Sequence, residues 1–89
     1  MALNFPNRSR SYDPRWGRVR FWGSDGALEV GFLLEVSALM KLCPAMTAAE
    51  DGILAAFDEA RERILEVATS RYSPWERRSV VILSATDFQ

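Results

Sequence analysis

Histidine is missing altogether, and cysteine occurs once, in a chain of 89 residues. Without histidine there is no usual general base near neutral pH, and the commonest metal ligand is gone. The serines and Cys43 therefore have no imidazole partner, and no Gly-x-Ser-x-Gly elbow is present. A lone cysteine cannot close an internal disulfide, which fits a reducing compartment. Beside Pro44, at the end of an apolar segment, Cys43 reads as packed rather than reactive. Lysine is nearly absent too: Lys41 stands alone among 11 basic residues, set against 12 acidic ones for a net charge of -1. That balance argues against binding nucleic acid or membrane through bulk charge, and leaves room only for a local basic patch. No apolar run reaches the roughly 18 residues that a membrane span needs, and the N-terminus lacks a charged-then-apolar leader. The expectation is one soluble cytoplasmic domain over residues 1–89, with an N-terminal arm over about residues 1–10 and a modest core.

What the chain does have is a segment of period two. In Gly17-Arg18-Val19-Arg20-Phe21-Trp22, Val19 and Phe21 point one way, and Arg18, Arg20 and Trp22 the other. Asp25-Gly26 is a hairpin signal, and a second strand follows to about Glu35. With Asp25 and Gly26 at the centre of the turn, Phe21 faces Val30, Val19 faces Phe32 and Trp22 faces Glu29. A longer loop changes that register but keeps the faces. Gly23-Ser24-Asp25-Gly26 is thus a hairpin turn and not a phosphate-binding strand-to-helix loop.

Before the hairpin, Phe5-Pro6 suits an extended tether. Ser11-Tyr12-Asp13 suits a short strand ended by Pro14. After it, Ser37 caps a short helix, Ala38 to Cys43. Thr47-Ala48-Ala49-Glu50 is a capping box that opens a long helix to about Tyr72, with an apolar stripe through Ile53, Phe57, Ile64 and Ala68. Glu59 and Arg63 suit an ion pair four residues apart. Ser79 to Ser84 holds a β-branched run that is apolar on both faces, the pattern of a covered or central strand.

Strands segregated from helices indicate α+β. The expected architecture is a small antiparallel sheet, made of the hairpin, a C-terminal strand and a short N-terminal strand, packed on one long and one short helix. Helices on one side leave the other sheet face showing Trp22, Leu33 and either Val81 or Leu83, a surface suited to a protein partner or to self-association as a dimer.

Arg18, Arg20 and Trp22, joined by Arg77 and Arg78, form the candidate contact surface. Arginines beside an exposed ring can hold single-stranded nucleic acid; the plainer reading is a solvated sheet face with the arginines paired to Glu29 and Glu35. Asp58, Glu62 and Glu66 stand four apart, a spacing able to hold a divalent cation; the plainer reading is an exposed helix face. No catalytic residue, cofactor or metal is assigned, and an enzyme is not expected.

Leu3-Asn4-Phe5-Pro6-Asn7, Ser9-Arg10-Ser11-Tyr12-Asp13, and Val19-Arg20-Phe21-Trp22-Gly23 with Asp25, Ala27, Leu28, Glu29 and Val30 together resemble the small bacterial proteins grouped as "domain of unknown function 1488". Ala38-Leu39, Phe57-Asp58, Ile64 and Thr86-Asp87-Phe88 agree with that pattern. The resemblance implies a stand-alone bacterial α+β domain with a small antiparallel sheet on two helices. It brings no activity, cofactor or catalytic residue. The leading expectation is a non-enzymatic interaction or regulatory module acting through the exposed sheet face; the alternative is a nucleic-acid-associated protein.

Overall fold

A computed structural model describes residues 3–6, 8–73 and 80–88. Its elements in chain order are β1 (Leu3–Asn4), β2 (Arg10–Asp13), β3 (Arg18–Asp25), β4 (Leu28–Glu35), α1 (Val36–Leu42), α2 (Glu50–Glu59), α3 (Arg61–Arg71) and β5 (Val80–Leu83). A 3₁₀ turn over Ala85–Phe88 follows and buries Phe88.

The sheet is mostly antiparallel and the architecture is α+β. Strand β3 is its spine. On one side β3 pairs with β1 and β2, and on the other with β4, which in turn pairs with β5. The last pair is parallel, because the chain crosses over through three helices before returning. The segment read as an arm contributes strand β1, with Leu3 opposite Asp25 and Asn4 opposite Ser24.

The hairpin keeps the expected faces but not the expected register. Phe21 pairs with Phe32, Val19 with Leu34 and Trp22 with Gly31. Asp25 is the last ladder residue, opposite Leu28, so the loop is Gly26-Ala27. Gly26 takes φ 64° there, the left-handed conformation that both tight hairpin turns demand at their first position. Asp25, a ladder residue, then needs no positive φ. A displacement of two residues leaves every side chain on its original face.

The helices all lie on one face. Val19, Phe21, Val30, Phe32, Leu34, Val81 and Leu83 from the sheet meet Leu39, Ile53, Phe57, Ile64 and Ala68 from the helices in one core. The rings of Phe21 and Phe32 stack at 5.2 Å, Phe57 lies 5.2 Å from Phe21, and Phe5 closes the cluster at 5.7 Å from Phe32. No polar or charged side chain is buried among the described residues, so hydrophobic burial holds this core together.

Several local expectations need correction. The long helix is two: Ala60, at φ −95° and ψ 11°, separates α2 from α3. The capping box does not form; α2 begins at Glu50 without a side-chain cap, and the Thr47 side chain lies against Gly52. Similarly, α1 begins at Val36 with Glu35 at its N-cap and no bond from Ser37. Strand β5 is also not central. It is the edge beyond β4, and its side chains alternate between buried and exposed.

Candidate functional site

Because side chains alternate along a strand, the residues of β3 that avoid the core must share the opposite face. These are Arg18, Arg20, Trp22 and Ser24. The register adds their neighbours in rows across the sheet. Arg18 lies between Asp13 and Glu35, and Arg20 lies between Ser11 and Leu33. Trp22 lies beside Gly31, and Ser24 beside Glu29. Strand β5 extends two of the rows, with Val80 beside Gly31 and Ile82 beside Leu33. Val80 is 47% and Ile82 41% exposed. The expectation that Val81 or Leu83 would face outward is thereby corrected: both are buried, because pairing of Val81 with Phe32 puts it on the core face.

Arg20 is exposed, whereas Arg18 and Trp22 are half-buried. With no side chain at Gly31, an open depression of about 280 Å³ forms between Trp22, Arg20, Glu29, Leu33 and Val80. The Arg18 guanidinium lies 5.7 Å from the ring centroid of Trp16, which is 63% exposed. The arginines are not paired to Glu29 and Glu35 as the plainer reading had it. Among the described residues no ion pair engages Arg18, Arg20, Glu29 or Glu35. The face is therefore apolar at its centre and along β5, with cations on β3 and anions on β4. Arg77 and Arg78, the other two residues of the expected surface, lie outside the described residues.

The acidic ladder is not one site. The break at Ala60 puts Asp58 on α2, and Glu62 and Glu66 on α3. Two of the three carboxylates are engaged by arginine. Arg10 donates from Nε and Nη2 to the two oxygens of Asp58 at 2.8 and 2.6 Å, and Arg63 donates to Glu66 at 2.7 Å. Arg63 thus pairs with Glu66 and not with Glu59. The hydrogen bond from Arg10 holds the Asp58 carboxyl below its ordinary range, with Arg61 and Arg8 adding to the effect. Among the described residues no group of three His, Cys, Asp or Glu side chains is placed to hold a metal ion.

Cys43 is half-buried, with Sγ 3.8 Å from the Ala56 carbonyl. Burial, and then the charge of Glu59, raise its pKa, which disfavours the thiolate. Sequence reasoning named Trp22 and Leu33 for the open face but missed Gly31, Val80 and Ile82. The alternation in Val-Val-Ile-Leu was invisible because every position is apolar. No helix among the described residues is long and apolar enough to cross a membrane.

A comparison with curated proteins and one with solved structures return no match. A family model described as "Protein of unknown function (DUF1488)" matches residues 3–83, from β1 to the end of β5. That match takes in the hairpin, the helices and the open face together, and the chain belongs to this family.

Proposed function

We propose that this chain is a non-enzymatic interaction module that binds a protein partner through its open sheet face. One observation carries the reading: Trp22, Leu33, Val80 and Ile82 share one face across β3, β4 and β5, turned away from every described helix. An apolar surface rimmed by charge is the composition of an interface centre and its rim. Arg20 and Glu29 supply polar groups at the edge of the depression, available to a partner's acceptors and donors.

The nucleic-acid reading is weaker on the same residues. Glu29, Glu35 and Asp13 interleave with Arg18 and Arg20, so a phosphate backbone laid across the face meets carboxylates as often as guanidinium groups. No specific observation among the described residues favours an enzyme reading over either.

The test is affinity capture with the tagged protein from lysate of the source cells, with and without nuclease, read by mass spectrometry. A partner recovered under both conditions, and lost with Leu33→Asp, supports the reading. Recovery that vanishes with nuclease contradicts it and promotes Arg18, Arg20 and Trp22 as a nucleic-acid contact.

A further inference from the structure

We infer that the occupant of the open face is a second copy of this chain, packed face to face about a twofold axis parallel to the strands, between β3 and β4. The inference rests on the reading of that face as an interface and adds the identity of the partner.

The charge layout selects the geometry. On this face β3 carries the cations Arg18 and Arg20, and β4 carries the anions Glu29 and Glu35. Two aligned twofold packings are open to such a sheet. An axis across the strands lays β3 on the partner's β3 and β4 on its β4, so that Arg18 and Arg20 never lie opposite Glu29 or Glu35. An axis along the strands, between β3 and β4, lays β3 on the partner's β4.

The register then fixes the pairs. Arg18 and Glu35 share a row, so each Arg18 meets the other copy's Glu35. Trp22 and Gly31 share a row, so each Trp22 meets a position without a side chain. Arg20 meets Leu33, two residues along β4 from Glu35. Ser11 meets Ile82, since both lie in the row of Arg20 and Leu33. The direct charge pair between β3 and β4, Arg18 with Glu35, is thus complementary and occurs twice, while Glu29 meets Ser24.

Size sets the strength. Strands β2, β3, β4 and β5 have 4, 8, 8 and 4 residues; at about 3.3 Å per residue and about 4.8 Å between strands they give a face on the order of 400 Å² per copy. The total of about 800 Å² lies well below the about 1,200 Å² at which stable specific interfaces begin, so the dimer is weak and depends on concentration.

The experiment is sedimentation equilibrium of the full chain up to about 1 mM, with Arg18→Glu and Glu35→Arg measured singly and mixed. Each single variant sets like charges against each other in its own homodimer, and self-association should weaken by about tenfold or more. In the equimolar mixture, the new carboxylate at position 18 of one variant faces the new guanidinium at position 35 of the other. The unaltered Arg18 and Glu35 of the two chains also face each other. Association should then return. Within each chain the mixture changes nothing, so the recovery can only come from contact between copies. Circular dichroism establishes that each variant is folded, and the wild-type concentration series stands without them. A wild type that stays monomeric up to 1 mM overturns the inference, and so does a mixture no more associated than its components. Capture of a different protein, lost with Leu33→Asp, by a wild type that stays monomeric overturns the self-contact while leaving the interface reading in place.

Discussion

Phe5 and Gly23 are matched across the edge of the sheet. Gly23 sits on the core face of β3, and a Cβ placed on it would stand 2.8 Å from Phe5 Cε1 and 3.1 Å from the Asn4 carbonyl oxygen. The missing side chain is what lets the N-terminal segment fold back and bring its ring against Phe21 and Phe32. Gly23→Ala should therefore destabilise the protein by about 1–3 kcal/mol, as overpacking does. Phe5→Ala should cost about 1–3 kcal/mol, less than the loss of a fully buried ring because Phe5 is half-buried. Because both changes act on one contact, the double variant should cost less than their sum. Urea denaturation of the four proteins measures this, and strict additivity would contradict the match.

The clamp between Arg10 and Asp58 ties β2 to α2 across the edge of the core. Asp58→Asn should cost about 0.5–1 kcal/mol near pH 7, a modest figure because both side chains are a third to a half exposed and solvent screens the pair. Unfolding by denaturant at fixed pH gives the number.

Acid should remove that contribution. Burial pushes the Asp87 carboxyl up, but the Ser84 backbone N–H and Arg71 outweigh it, and Asp87, like Asp58, titrates below its ordinary value. A depressed carboxylate stabilises the fold fully above its unfolded pKa, and that stabilisation is lost as pH falls through the folded pKa. Stability should thus decline below about pH 4, and the decline should be shallower in an Asp58→Asn, Asp87→Asn double variant. Parallel curves for variant and wild type would contradict this assignment.

Cys43 should react slowly. Its raised pKa and half-buried position lower both thiolate population and access. Alkylation by iodoacetamide at pH 7.5 should be markedly faster in guanidinium chloride than in the folded protein. Equal rates would mean that Cys43 is exposed in solution.

Divalent cations should leave the melting temperature unchanged. Asp58 and Glu66 are held by arginines, and Glu62 lies beyond a helix break from Asp58. A rise in melting temperature with millimolar magnesium or manganese would show a site that these pairs conceal.

The parts of this architecture legible in the sequence are those written as local periodicity. Alternation from Arg18 to Trp22 assigned the two faces of β3, and the stripe from Ile53 to Ala68 marked the buried side of the helices. What was illegible has particular causes. Either Asp25-Gly26 or Gly26-Ala27 can close the hairpin, and only tertiary fit, including the Tyr72 hydroxyl donating to Asp25 at 2.8 Å, goes with the second. Ala60 breaks the long helix without glycine or proline, so the helical period runs through it unmarked. Val80 to Leu83 is apolar throughout, and its edge position depends on where the crossover lands. The pairing of Arg10 with Asp58 spans 48 residues of sequence, a separation no local pattern encodes.

The central claim concerns one face of one sheet, and the most direct test compares that face with the back of the molecule. Leu33→Asp and Ile82→Asp alter the open face, while Glu62→Arg and Thr69→Arg alter exposed positions on α3. With all four variants folded by circular dichroism, binding of each to wild-type protein and to captured partners is measured side by side. The account predicts loss for both open-face variants and retention for both helix variants. Retention by the open-face pair, or loss confined to the helix pair, would contradict it.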